Sequence, residues 1–288
     1  MTIPSRAGRP REITAAGNRW LALHEARCHA LAGREVRDLG DAVLLHDATD
    51  REPFWNRIAG IAWPEPAAAF DRRLAEVLAL FAGLDRIPHV WPTPGYDEPA
   101  DLVARLIAHG FEDMGSGLVM VLDPERRRAT ASGPSRPSAP TSPRIEITHI
   151  ERPDDPLRAA GDVARVLVEA FAVEDERRES IERETAILFA RDEVHVCLLR
   201  VDGEPAAVVR RSTFDGASYL SSIGTRPVFR GMGLGRLVTD IAVEESLAAD
   251  SRWTYLGVFS DNLVALRMYE GLGFEIVGGP APDLLLRR

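Results

Sequence analysis

With 288 residues, 44 acidic against 35 basic side chains and a formal net charge of −9, the chain has length for two domains and a balance that argues against nucleic acid as a partner. No apolar run reaches about 18 residues and the N-terminus has no signal-peptide core, so the chain reads as cytoplasmic and without a membrane partner. Two distant cysteines, Cys28 and Cys197, suggest no disulfide framework, and the absence of any lysine removes Schiff-base chemistry.

Residues 1–12 read as a loose arm, and helical spacing of apolar residues predicts a helix over Asn18 to Leu31. His24 and Cys28 share one face of it. No second Cys/His pair accompanies them or His29, so they read as side chains of a half-buried helix and no metal site is expected. Short strands follow at Val36 to Leu39 and Ala42 to His46, with a third candidate at Asn56 to Trp63. Ala67 to Phe81 is an amphipathic helix, His89 to Trp91 a strand, and Pro99 to His109 a helix stopped by Gly110. Phe111 to Leu122 reads as a hairpin turned at Gly115-Ser116-Gly117.

Residues 123–144 are rich in Pro, Ser and Arg, without apolar periodicity, and read as a flexible linker that includes the basic run Arg126-Arg127-Arg128. Beyond it come a strand from Ile145 and helices at Asp162 to Ala172 and Arg177 to Ala190. Strands follow at Val194 to Val201 and Ala206 to Ser212, turned by Asp202-Gly203, and at Ala217 to Thr225. The domain limits expected are therefore 1–122, a linker at 123–144, and 145–288.

The chemistry concentrates in residues 219–274. A strand ending at Thr225 meets Pro227, then Arg230-Gly231-Met232-Gly233-Leu234-Gly235 and Arg236, then an amphipathic helix. Glycines at alternate positions leave backbone N–H groups unshielded at a helix start, which suits an anion such as a pyrophosphate. The spacing is neither G-x-G-x-x-G nor a loop ending in G-K-[ST], which sets aside dinucleotide and nucleoside triphosphate sites. A strand at Trp253 to Phe259 follows, then Ser260-Asp261-Asn262 as a helix cap and a short helix holding Tyr269. Gly271 and Gly273 end that helix before a strand begins at Phe274, and Leu284 to Leu286 completes the sheet.

This stretch resembles the GNAT superfamily of acyl-CoA-dependent N-acyltransferases. Arg230, Gly233 and Gly235 meet its phosphate-loop pattern, Asn262 and Tyr269 its later Asn and Tyr, and Leu272-Gly273-Phe274 its closing L-G-F. The resemblance implies an α/β (α+β) fold whose domains each hold a mixed, mostly antiparallel twisted sheet flanked by helices. It also implies acetyl-CoA as co-substrate, no metal, and a small-molecule amine as acceptor. Ile223, Gly224 and Thr225 match the strand whose amides bond the pantetheine arm, though Gly224 reads equally as a β-bulge. Residues 230–236 match the phosphate loop, and Asn262 the residue that ties the neighbouring strand, or simply a helix cap. Tyr269 matches the acid that protonates the departing sulfur, or else it is a core tyrosine. The base is not legible. Ser221 and Ser222 stand where many relatives place a Glu, and Glu169, Glu174, Asp175 and Glu176 are acids of the acceptor region. A non-catalytic acyl-CoA sensor stays open beside the enzyme.

The first half repeats the second at an offset of 163. Pro64 falls on Pro227, Leu74 on Leu237, Gly110 on Gly273 and Phe111 on Phe274. Ala67 to Arg72 stand where the glycine loop stands, Pro99 replaces Asn262 and Leu106 replaces Tyr269. Two tandem GNAT-like domains are expected, the first degenerate.

Overall fold

A computed structural model describes residues 14–93, 95–131 and 144–287. The expected N-terminal arm and most of the expected linker lie outside these residues. The chain divides into two compact units: Met1–Met120 with Gly257–Leu266 and Glu275–Arg288, and Val121–Leu256 with Arg267–Phe274.

In the first unit, helix α1 (Ala15–Ala30) precedes strands β1 (Glu35–Asp38), β2 (Val43–His46) and β3 (Arg57–Ala59). These strands pair antiparallel in sequence order, and β3 then runs parallel to β4 (His89–Trp91), with Ile58 opposite Val90. Helix α2 (Ala67–Gly83) makes the β3-to-β4 crossover. Its Phe70, Leu74, Val77 and Phe81 form one buried stripe, at the spacing an amphipathic helix needs. That stripe packs with Leu44, Ile58, Val90, Leu106 and Leu284 in a single apolar core. Helix α3 (Leu102–Ala108) and strand β5 (Glu112–Leu122) follow. His24 and Cys28 are buried on α1 with Cys28 Sγ 3.6 Å from His24 Nδ1. Among the described residues no group of three His, Cys, Asp or Glu is arranged to hold a metal ion.

Several expected boundaries move. The third strand stops at Ala59 because Gly60 takes φ +61. The helix expected from Pro99 starts at Leu102. Residues 112–122 are one strand, not a hairpin: a Cβ on Gly117 would sit 2.8 Å from the Trp91 ring, so that glycine answers a close contact and not a turn. The expected linker contains an ordered helix, α4 (Pro124–Ala131), which Asp123 starts by accepting hydrogen bonds from the backbone N–H groups of Glu125 and Arg126.

In the second unit, β6 (Ile145–Ile150), β7 (Val194–Val201), β8 (Glu204–Phe214) and β9 (Ala217–Thr225) pair antiparallel in sequence order. Helix α5 (Pro156–Phe171) begins six residues before the expected start. Pro156 sits in its first turn, and Asp155 caps it by accepting from Arg158 N–H at 3.0 Å. Helix α6 (Arg178–Leu188) comes next. After β9, helix α7 (Leu234–Ala248) crosses over to β10 (Trp253–Phe259), which pairs parallel with β9. Then come α8 (Leu263–Glu270) and β11 (Phe274–Leu285), a single long strand where two short pieces were expected.

The sequence repeat is therefore a structural one. The order β3-α2-β4-α3-β5 recurs as β9-α7-β10-α8-β11, with a parallel pair flanking the crossover helix each time. Gly110 and Gly273 both take positive φ, +92 and +99, at the end of the short helix, and Phe111 and Phe274 are both buried beside them.

Candidate active site

The glycine loop leaves β9 through a short 3-10 turn at Pro227–Phe229. Gly231 and Gly233 take φ of +83 and +79, where a side chain is strained, and the space before each is open. Gly233 is the N-cap residue just before α7, and no side chain caps that 15-residue helix. Gly235 is small for a different reason: a Cβ there would meet Thr225 Oγ1 at 3.2 Å. Met232 stands exposed at the loop's apex, while the Leu234 side chain is buried, so Leu234 faces the loop only through its backbone. Arg230 donates to Ala170 O at 2.9 Å and to Thr225 O at 3.4 Å, and Arg236 donates to Gly271 O at 3.0 Å. Both guanidiniums are thus anchored at the loop through carbonyl oxygens.

Beside the loop, the parallel register of β9 with β10 ends at Leu220 and Leu256, though β9 continues to Thr225. Against β8, the pairing slips by one residue between Ser221 and Gly224, and Ser222 takes φ +52. The bulge thus lies at Ser222 and Ile223. Gly224 is buried, and a Cβ on it would stand 3.0 Å from Ala170 Cβ, so its size is set by packing against α5. Ser221 to Ile223 and Thr225 are half-exposed, in contrast to the buried first half of the strand.

Of the acids in the acceptor region, Glu169 is committed. It accepts from Arg226 Nε at 2.8 Å, and the Arg226 bond, outweighing partial burial, holds its carboxyl below the usual range. Glu174, Asp175 and Glu176 are exposed, and Asp175 pairs with Arg178. The sequence reading missed Arg210 and Glu184. Arg210 donates to Ser221 Oγ at 3.0 Å and lies 3.4 Å from Glu184, with both side chains mostly buried. Two adjacent arginines, Arg210 and Arg211, between the apolar run Ala206 to Val209 and Ser212 were the available signal.

Asn262 Oδ1 accepts from Ala265 N–H at 3.1 Å and so caps α8. Seven residues on, Tyr269 is 5% exposed, its ring edge-on to Phe274 with centroids 6.0 Å apart. Burial pushes its phenol well above the ordinary value, so it keeps its proton at neutral pH.

The matched positions of the first unit are built otherwise. Ile61 N–H donates to Asp97 Oδ1 at 3.0 Å, Glu98 N–H to Ile61 O at 3.0 Å, and Trp63 N–H to Glu98 O at 3.0 Å. Ala62 and Glu98 form a parallel bridge. Helix α2 begins behind Pro66 with no glycine at its entrance.

Residues 161–274 match the model of the Acetyltransferase (GNAT) family. Over 75 residues the chain is 36% identical to a mycothiol acetyltransferase of Nocardiopsis dassonvillei; the match covers 26% of this chain and about a fifth (19%) of that protein. Across nearly the whole chain, the fold is similar to that of two solved structures. A GCN5-related N-acetyltransferase from Kribbella flavida superposes with a TM-score of 0.65 at 19% identity, covering 94% of this chain and 96% of that one. A tandem GNAT protein from the clavulanic acid biosynthesis pathway gives 0.60 at 14% identity, covering 99% and 96%. No helix among the described residues is long and apolar enough to cross a membrane.

Proposed function

We propose that the chain is an N-acetyltransferase that uses its C-terminal half to move an acetyl group from acetyl-CoA to a primary amine of a small molecule by direct attack. The observation that carries this reading is the pair of left-handed glycines, Gly231 and Gly233, opening an uncapped α7 beside a β9 end that has left its parallel partner. Backbone N–H groups at 231–235 and the positive end of α7 suit the diphosphate, with Arg230 and Arg236 adding charge. The half-exposed residues Ser221 to Ile223 and Thr225 suit an amide-bearing arm laid alongside as a further strand.

The thioester supplies the activated carbonyl. As the amine nitrogen bonds to that carbon, the carbon–sulfur bond breaks, and Tyr269 gives its proton to the departing sulfur. Glu169 is held by Arg226 and does not serve as the base; the proton shed by the attacking nitrogen passes to water, and water returns a proton to Tyr269.

The test is thiol release from acetyl-CoA by the purified protein across a panel of primary amines, with acceptors related to mycothiol in the first set. Release above the amine-free rate with at least one amine supports the reading. Acetyl-CoA binding without release for any amine would make the chain an acyl-CoA sensor instead.

A further inference from the structure

We propose that Arg127 is a positioning residue: through α4 it holds the turn between α8 and β11 that sets the place of Tyr269. This rests on the reading of Tyr269 as the sulfur's acid.

The segment's composition suggests a solvated linker, yet Arg127 is 7% exposed. Its guanidinium lies 2.6 Å from Asp240 Oδ1 and 2.5 Å from Glu244 Oε1, successive acids on one face of α7. Its backbone meets the turn. Asp123 N–H donates to Gly273 O at 2.9 Å, and a Cβ on Gly273 would stand 2.8 Å from both N and Cα of Arg127. No other residue type fits at 273, given both that contact and its φ of +99.

Gly273 lies four residues beyond Tyr269, and Phe274, the next residue, carries the ring against which Tyr269 packs. The bond from Arg236 to Gly271 O ties the same turn to the start of α7. The glycine-loop helix and the tyrosine's turn are thus joined at two places, and α4 supplies one of them. The Arg127 side chain is buried while those of Asp240 and Glu244 are exposed, so its removal leaves hydrated carboxylates but takes away the packed stem and the tie that fix α4 against α7. Loss of Arg127 frees the turn to shift, and a small displacement of a proton donor costs rate more than it costs cofactor affinity.

The experiment uses the full chain with Arg127→Ala and Arg127→Lys. Nitration by tetranitromethane, mapped by peptide mass spectrometry, reads tyrosine exposure without any assay of activity. Tyr219 and Tyr255, also buried, serve as controls. In Arg127→Ala, Tyr269 nitration is expected to rise at least about fivefold while the two controls stay protected. Arg127→Lys, which keeps a cation between Asp240 and Glu244, stays near the wild-type level. Protection of Tyr269 in Arg127→Ala, or opening of all three tyrosines together, would overturn the proposal. Where thiol release is measurable, Arg127→Ala lowers kcat about tenfold, and that loss disappears in a Tyr269→Phe background. A full additive loss in the double variant would overturn it as well. Nitration as expected with no thiol release would sink the acetyltransferase reading alone.

Discussion

At matched positions the two halves finish the same strand differently. In the first half the chain's own residues 97 and 98 bond to Ile61 and Trp63, so the backbone there is satisfied from within. In the second half β9 leaves β10 at Leu220, bulges at Ser222 and is half-exposed at Ser221 to Ile223 and again at Thr225. The helix that follows differs in the same sense: α2 starts behind prolines, while α7 starts behind two left-handed glycines with open space before them. One βαβ crossover is thus closed by the chain itself in one place and left open in the other, where the cofactor site is proposed. What separates them is whether the strand end is bonded by the chain's own 97–98 segment or has left its parallel partner beside an open helix entrance.

The strongest way to break this contrast is to spoil the open end. Gly233→Asp puts a side chain at φ +79 and a carboxylate where the diphosphate is expected. Affinity for acetyl-CoA should fall by more than about a hundredfold while the circular dichroism spectrum stays native. Normal affinity, measured by calorimetry, would place the phosphates elsewhere.

Next in size is Tyr269→Phe, which keeps the ring against Phe274 and removes only the hydroxyl. The expected result is a fall in kcat of about a hundredfold, the lower end for general acid catalysis because a thiolate leaves readily, with KM for acetyl-CoA little changed. Collapse of affinity with kcat preserved would make Tyr269 a binding or core residue.

The closed end carries its own signature. Burial, opposed by backbone hydrogen bonds from Thr93 and Ile61, pushes the Asp97 carboxyl from 3.8 up to about 6. The folded state therefore holds that proton more tightly than the unfolded chain does. The benefit is full below pH 3.8 and is lost as pH rises through 6. Relative to Asp97→Asn, wild type should gain roughly 2 kcal/mol of stability between pH 7 and pH 4.5, read from urea melts at each pH. A difference that does not vary with pH would mean the carboxyl titrates normally and the closure at 61–63 is looser than described.

Much of this was legible in the sequence, because the repeat and the glycine loop are written in residues whose backbone demands are specific. Gly110 and Gly273, Gly231 and Gly233, and the stripe from Phe70 to Phe81 all announce their conformations. What the sequence hid depends on partners far along the chain. Helix α4 has no apolar stripe, and its ordering comes from Asp240, Glu244 and Gly273. Gly117 and Gly224 read as turn or cofactor glycines, but their size answers the Trp91 ring and the Ala170 methyl. The pairing of Arg210 with Glu184 and Ser221 needs three elements at once. Closure of the first strand's end by the Asp97 carboxylate and the Glu98 backbone was equally invisible, since nothing local marks either as a partner for residues 61–63.

The contrast between the halves is tested most directly by the stoichiometry of acetyl-CoA binding to the full chain, titrated calorimetrically in wild type and in Gly233→Asp. The expected result is one site per chain in wild type and none in the variant. Two sites in wild type, or one site surviving in Gly233→Asp, would show that the first half binds the cofactor and would contradict the assignment of the open end.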